Sequence, residues 1–414
     1  MYQNFSTILA ILLLTNIVAA SDSSLSLQKA VELALASDDP YVQETLQRAS
    51  ALEDTAIANA QLADPKLRLN FANWPTNSFS YNQEPMTQIQ LGLSQTFPKG
   101  DTLRLSKEKQ LAKAKGQRHL QDLRIQEIIL DTRLTWLELF YSKNAYEKVT
   151  QNRQAVAELI EIIEGMYATG RETRQDISRA QLELSLLDDR LAEIDRQASM
   201  QRAALARRIG ETQSKQALPK HLPAMQHPTD LSAAEALLNH HPAAEIFTSK
   251  IETADKDVSI AAEQHKPGWA VNVGYGARGG NRADFASVGV TMGVPLFTKN
   301  RQDRRVSAAK KSRQATRLSR DTLLLDLKKR LHVSHESWLR LGERVTLYKT
   351  VVLQRAKETT EASLTSYQNG ISDFPELVRA RLAELNAELQ LLRLQTDRLK
   401  TQATLLFLEG EDDA

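Results

Sequence analysis

The side chains able to do chemistry are few, and their spacing argues against catalysis. His332 and His335 fall on one helical face, but no carboxylate stands beside them at metalloprotease spacing, so the pair reads as a solvated face. His221, His227, His240 and His241 read as surface positions. Gly274-Tyr275-Gly276-Ala277-Arg278-Gly279 has the G-x-G-x-x-G form. A dinucleotide site needs a helix to open there at once, whereas an Asn-Arg-Ala-Asp loop and another strand follow. The chain has no cysteine, which removes thiol nucleophiles, thiolate metal sites, disulfides and lipidation at an N-terminal Cys. No nucleophile–base pair has supporting spacing. The expectation is a protein that is not an enzyme, with no cofactor and no metal site.

The more informative polar residues sit at two turns. Tyr167-Ala168-Thr169-Gly170 recurs as Tyr367-Gln368-Asn369-Gly370, two hundred positions later. Each glycine ends a long helical pattern, as a left-handed C-terminal cap does. Thr173 stands three before Asp176, the spacing of a capping box. After the second turn Asp373 can cap, with Pro375 in the first helical turn.

The turns belong to a larger duplication. The same offset relates Ala180 to Ala380 and Gly210-Glu211 to Gly410-Glu411; nearly the same offset relates Pro65 to Pro267, Pro98 to Pro295 and Trp136 to Trp338. We expect a first repeat over 21–211 and a second over 229–411, joined by a linker at 212–228. Each should contain a helix, two strands, a very long helix, a tip turn and a returning helix. The expected strands are 67–74 and 88–97, then 270–277 and 286–297; the expected long helices are 101–168 and 302–368, returning as 175–210 and 375–409. Asp101 can cap the first long helix, which at 1.5 Å per residue extends about 100 Å. Such a helix needs partners along its length. Leu130, Leu134, Leu137 and Tyr141 supply a seam, as do Val156, Leu159, Ile163 and Met166, then Ile177, Leu184, Leu187, Leu191 and Ile194, and later Leu385, Leu389 and Leu392.

Composition agrees. Of 414 residues only 16 are Gly and 12 Pro, as long helices require. The 53 Lys and Arg nearly balance 51 Asp and Glu, which gives no electrostatic case for nucleic acid. Ile8–Val18 is an apolar run followed by small residues at Val18-Ala19-Ala20, the layout of a signal peptide over 1–20. No other apolar run is long enough to cross a bilayer as a helix, so strands must do it.

The strands have that character. Ile89, Leu91, Leu93 and Phe97 alternate with Gln88, Gln90, Gly92, Ser94 and Thr96; Val271, Val273 and Tyr275 alternate with Asn272, Gly274 and Gly276; Val288, Val290, Met292, Val294 and Leu296 alternate with small or polar residues. This is the dyad pattern of membrane β-strands, with Trp74, Phe97, Trp269, Phe285 and Phe297 as interfacial aromatics. Four strands cannot close a barrel, and an open edge cannot face lipid. Two copies would give an interior filled by side chains, whereas three leave a channel. The fold class expected is therefore mixed α and β, mostly helical: a duplicated protomer giving four strands to a trimeric twelve-stranded barrel, continued by an α-helical one.

The element order, the duplication and the Tyr-x-x-Gly turns with an acid six after each glycine resemble the TolC family of outer-membrane efflux proteins. Ser94-Gln95-Thr96-Phe97-Pro98 and Val294-Pro295-Leu296-Phe297 are similar to that family's strand-to-helix junctions, and Glu84-Pro85-Met86-Thr87-Gln88 resembles its heavy-metal branch. The resemblance implies a homotrimer in outer-membrane lipid, reaching into the periplasm. It implies a periplasmic adaptor and an inner-membrane transporter of the RND type as partners. Passive conduction of divalent metal ions or small toxic compounds would be its task; the alternatives are the exit duct of a type I secretion system and a soluble periplasmic coiled-coil scaffold. Carried over by position, Thr169, Gly170, Arg171, Gly370, Ile371 and Ser372 would meet the adaptor, and Asp176, Asp373 and Glu376 would face the aperture. Ser372 stands where family members place a basic residue that holds the closed state.

Overall fold

The computed structural model describes residues 24–170 and 172–410; the expected signal segment lies outside them. In the first half α1 (Leu27–Leu35) and α2 (Pro40–Ala58) lead to β1 (Lys66–Ala72) and β2 (Gln88–Phe97), then to α3 (Thr102–Ala168) and α4 (Arg174–Ile209). One short turn, α5 (Glu211–Ser214), opens the connection. The second half runs α6 (Leu231–Leu237), α7 (Pro242–Glu263), β3 (Gly268–Arg278), β4 (Phe285–Gly293), α8 (Gln302–Leu347), α9 (Leu353–Gln368) and α10 (Phe374–Glu409). A single π-helical turn, Tyr348–Val352, joins α8 to α9, so the expected second long helix is interrupted.

Local chemistry explains the helix starts. Pro40 and Pro242 occupy first-turn positions, where their missing N–H is no loss, behind caps at Asp39 and His241. His241 is not at the surface as expected: it is 1% exposed, its Nδ1 accepts from Ala243 N at 3.2 Å, and burial pushes its imidazole below the ordinary value. Asp101 does not cap α3 through its side chain; it pairs instead with Arg104 at 2.9 Å. The end of α7 holds the start of α3, with Glu263 accepting from Asp101 N at 2.8 Å and Lys99 donating to Gln264 O at 3.1 Å.

The helices form a single layer of four columns. α3 packs against α2 and α4 and against α7 and α10; α4 also touches α10, with Arg190 donating to Asn386 at 2.9 Å, and α8 and α9 pack on α7 and α10. The seam residues meet as their spacing requires: Leu137, Val156, Ile163, Leu187, Ile194, Leu385, Leu389 and Leu392 are buried in one continuous core. Its widest part is where α1 and the connection cross α3. There Trp136 stacks on Phe140 at 5.4 Å and donates to Leu25 O at 2.9 Å.

The strands form one antiparallel sheet in the order β1-β2-β3-β4. Among the described residues β1 and β4 each pair on one side only. Register aligns Leu67, Leu93, Val273 and Val288 across the sheet, and Leu69, Leu91, Tyr275 and Ala286 beside them. This face is apolar and exposed, Val288 by 77%. The other face carries Asn70 bonded to Gln90 at 3.0 Å and Asn272 bonded to Thr291 at 3.2 Å.

Three strand expectations need correction. β4 stops at Gly293, because Pro295 has no N–H to offer a ladder; Val294 and Leu296 follow outside the ladder, Leu296 N donating to Val294 O at 3.1 Å. β1 stops at Ala72, where Asn73 takes a φ of 56° and turns the chain; Trp74 lies in the loop, its indole donating to Phe79 O at 2.7 Å. Phe285 pairs with Gly276 and so stands on the polar face, under the Arg278 guanidinium at 4.0 Å. Phe97 and Trp269 do sit on the apolar face, stacked at 4.1 Å.

Candidate docking tips and aperture

Both hairpin tips owe their form to one residue each. Gly170 and Gly370 have φ of 73° and 68°, and a Cβ on either would meet nothing within 4 Å. Glycine is needed there for its left-handed backbone rather than for space. Gly170 N donates to Tyr167 O at 2.9 Å and Gly370 N to Tyr367 O at 3.0 Å, closing the last turns. The Thr169 hydroxyl folds back onto Met166 O at 2.9 Å, and Ile371 projects outward, 79% exposed. Ser372 has a buried hydroxyl with no partner among the described residues. Arg171 lies outside the described residues.

The three carboxylates are each anchored by the turn chemistry. Thr173 and Asp176 form a complete capping box. Asp373 accepts from Glu376 N at 3.2 Å, with Pro375 in the first turn of α10. Glu376 pairs with Arg379 at 3.0 Å and lines a shallow groove of about 420 Å3 between α9 and α10, with Arg355, Ser366 and Ser372. Asp176 and Asp373 thus come together at the joint between the two hairpins, while Glu376 faces a separate groove.

The residue at that joint, Glu172, was not among those expected. The Tyr367 hydroxyl donates to Glu172 Oε1 at 3.3 Å and touches Met166 Sδ at 3.3 Å, and its ring packs edge-on against Phe374 at 5.8 Å. Burial, then the charges of Asp176 and Asp373, raise the Glu172 carboxyl above its ordinary range. Burial, with the Glu172 charge beside it, pushes the Tyr367 phenol up to about 12. The sequence held a signal: an acid two after the first tip glycine, where the second repeat has Ser372. Further from the tip, Glu138 of α3 accepts from Arg393 at 2.6 Å and Lys400 at 2.8 Å of α10. Burial raises its carboxyl, but those two cations outweigh burial and hold it below the usual range.

A duplicated chain with an exposed apolar sheet face, sheet edges open among the described residues and paired long hairpins has the architecture of a strand-and-helix protomer. Residues 235–411 match the family model described as outer membrane efflux protein. That match covers the second repeat; over the first repeat the likeness is one of fold. Several solved structures share the fold, three of them as follows. VceC from Vibrio cholerae is 19% identical with a TM-score of 0.77, over 93% of this chain and 96% of that one. CusC is 14% identical with a TM-score of 0.77, over 93% and 92%, and CmeC from Campylobacter jejuni is 14% identical with a TM-score of 0.77, over 93% and 85%. No curated protein sequence matches the chain.

Proposed function

We propose that three copies of this chain close into a twelve-stranded barrel above an α-helical cylinder, forming the passive exit duct of a tripartite efflux system. The observation that carries this reading is the sheet: one face apolar and exposed, and both edge strands open. Edges that face lipid must be paired, and only another copy offers a matching strand. The helical layer has the same open columns at the same sides, α2 with α4 and α8 with α9. The tips Thr169, Gly170, Arg171, Gly370, Ile371 and Ser372 then meet a periplasmic adaptor that links the duct to an inner-membrane transporter, of the RND type. Asp176, Asp373 and Glu376 lie at the narrow end and give it a cation preference. The cargo is small toxic compounds. A preference for divalent metal ions rests on the 84–88 stretch alone; the described residues hold no group of three or more His, Asp or Glu side chains able to bind an ion.

Purified in detergent, the protein should run as a heat-resistant trimer and form bilayer channels. Gly370→Trp should keep the trimer yet fail to restore export to an efflux-deficient strain, because a bulky side chain holds the adaptor away. A monodisperse monomer without detergent would end the reading, and full export by Gly370→Trp would end the docking assignment.

A further inference from the structure

The polar face of the sheet has an unbalanced charge. Lys66, Arg68 and Arg278 are its charged side chains, and no acid stands on that face of any strand. Asp64, Glu84 and Asp284 lie in the flanking loops, where Asp284 is occupied by Tyr275 and the Arg278 amide. Arg278 is likewise engaged, stacked on Phe285 and bonded to Ala283 O at 2.6 Å and Pro85 O at 3.3 Å. Arg68 is exposed and has no hydrogen bond or ion pair among the described residues.

Arg68 also borders a cleft. Register places it in one row with Gly92, Gly274 and Ser287, and the next row adds Gly276 and Phe285. Together these residues line a depression of about 280 Å3, with a glycine floor, a free guanidinium at one end and an aromatic ring at the other. The floor depends on missing side chains: a Cβ on Gly274 would come within 2.8 Å of Ser287 Oγ, and one on Gly276 within hard contact of Gln88.

We propose that this cleft is a binding subsite for amphipathic organic anions, an aromatic or alkyl carboxylate held by Arg68 with its apolar part on the glycine floor against Phe285. A guanidinium with its donors unspent binds carboxylate through paired hydrogen bonds, and a flat floor admits a ring. The inference rests on the barrel reading, which turns this face toward the lumen. It makes the duct bipolar: acidic at the tips and cationic in the barrel, so bare divalent cations meet repulsion at the exit and organic anions are accepted there.

Planar-bilayer recordings test it, with naphthalene-2-carboxylate added on the barrel side and a naphthyl-trimethylammonium cation as control. The carboxylate should block the current and the cation should not. Arg68→Gln should weaken block by about tenfold, the loss of a charge-assisted pair. Arg68→Lys should retain part of the block, and Gly274→Ala should weaken it with the charge unchanged. Undiminished block in Arg68→Gln, or equal block by the cation, would overturn the subsite while leaving the channel standing. If the wild-type protein forms no trimer and no conductance, the barrel reading falls and the subsite with it.

Discussion

The two long helices are copies of one element in unlike places. α3 begins at Thr102 and ends at Ala168; its counterpart begins at Gln302 and ends at Gln368, an offset of two hundred at both ends. Yet α3 buries Trp136, Leu137, Leu139, Phe140 and a ladder down to Ile163, while α8 buries only Gln302, Leu327 and Leu331 and leaves Leu318, Leu325 and Val333 exposed. The cause is position. α3 has helices of its own chain on both flanks, and α8 with α9 stands at an open side of the layer. Duplication supplied two rods, and within this chain the second is left with an open side.

The sharpest way to break this comparison is to shorten each rod by one residue. Deleting exposed Gln151 from α3 rotates everything below it by about 100° and tears Val156, Ile160 and Ile163 from the core. Loss of the lower hairpin should follow, seen as protease sensitivity and absence of trimer. Deleting Thr350 should be tolerated, because a π-turn already carries a surplus residue that a regular helix can shed without changing its winding. Equal damage from both deletions would mean that the π-turn has a task of its own.

Next in size is the tryptophan pair. Trp136→Ala should cost about 3–5 kcal/mol, since a fully buried, stacked and hydrogen-bonded ring leaves a cavity. Trp338 is half-buried, bonded to Gln402 at 3.3 Å and covered by Arg398, so Trp338→Ala should cost about 1–2 kcal/mol. Denaturant melts in detergent read the difference. Smaller for the chain alone is Leu325→Asp, within about 0.5 kcal/mol because this side chain is exposed in the protomer. It should nevertheless abolish the heat-resistant trimer; an intact trimer would show that this side of α8 meets no second copy.

The smallest effect is at the tips, where Tyr167 is exposed but Tyr367 is engaged with Glu172. The Glu172 carboxyl is raised above its ordinary 4.5, so its stabilising contribution is full below that value and is lost as pH rises through the raised one. Amide exchange around Gly170 and Gly370, corrected for intrinsic rate, should slow as pH falls through that window. Glu172→Gln should flatten the dependence, and a profile unchanged by it would place the titration elsewhere.

How much of this was legible depended on whether a feature has a period. The seams at Val156–Ile163 and Leu385–Leu392, the strand alternation at Gln88–Phe97 and both glycine turns repeat at helix or strand spacing, and the structure has them where the pattern put them. What was missed is aperiodic. Alternation ran past Gly293 because Val294 and Leu296 keep the parity after Pro295 has ended the ladder. Phe285 looked interfacial by type, but parity decides its face. The π-turn leaves no mark in composition or in the count between landmarks: it adds a residue, yet Trp338 to Tyr367 is two residues shorter than Trp136 to Tyr167. Glu172 and Tyr367 meet across two hairpins, and no spacing within one hairpin announces that.

A layer one helix thick has almost no inside. The chain exposes 25708 Å2, whereas a compact globule of 46.4 kDa would expose about 16,000 Å2. Part of the excess is the two broad faces of so thin a layer, and part is its two open sides. A single protomer therefore carries the solvent burden of a much larger protein on a core sized for a small one. In the proposed trimer, folding and association become one event, and stability is set by protomer concentration as well as by sequence. A protomer released alone into an aqueous compartment is an adhesive sheet, and its safe passage to the membrane becomes a question of time spent unpartnered.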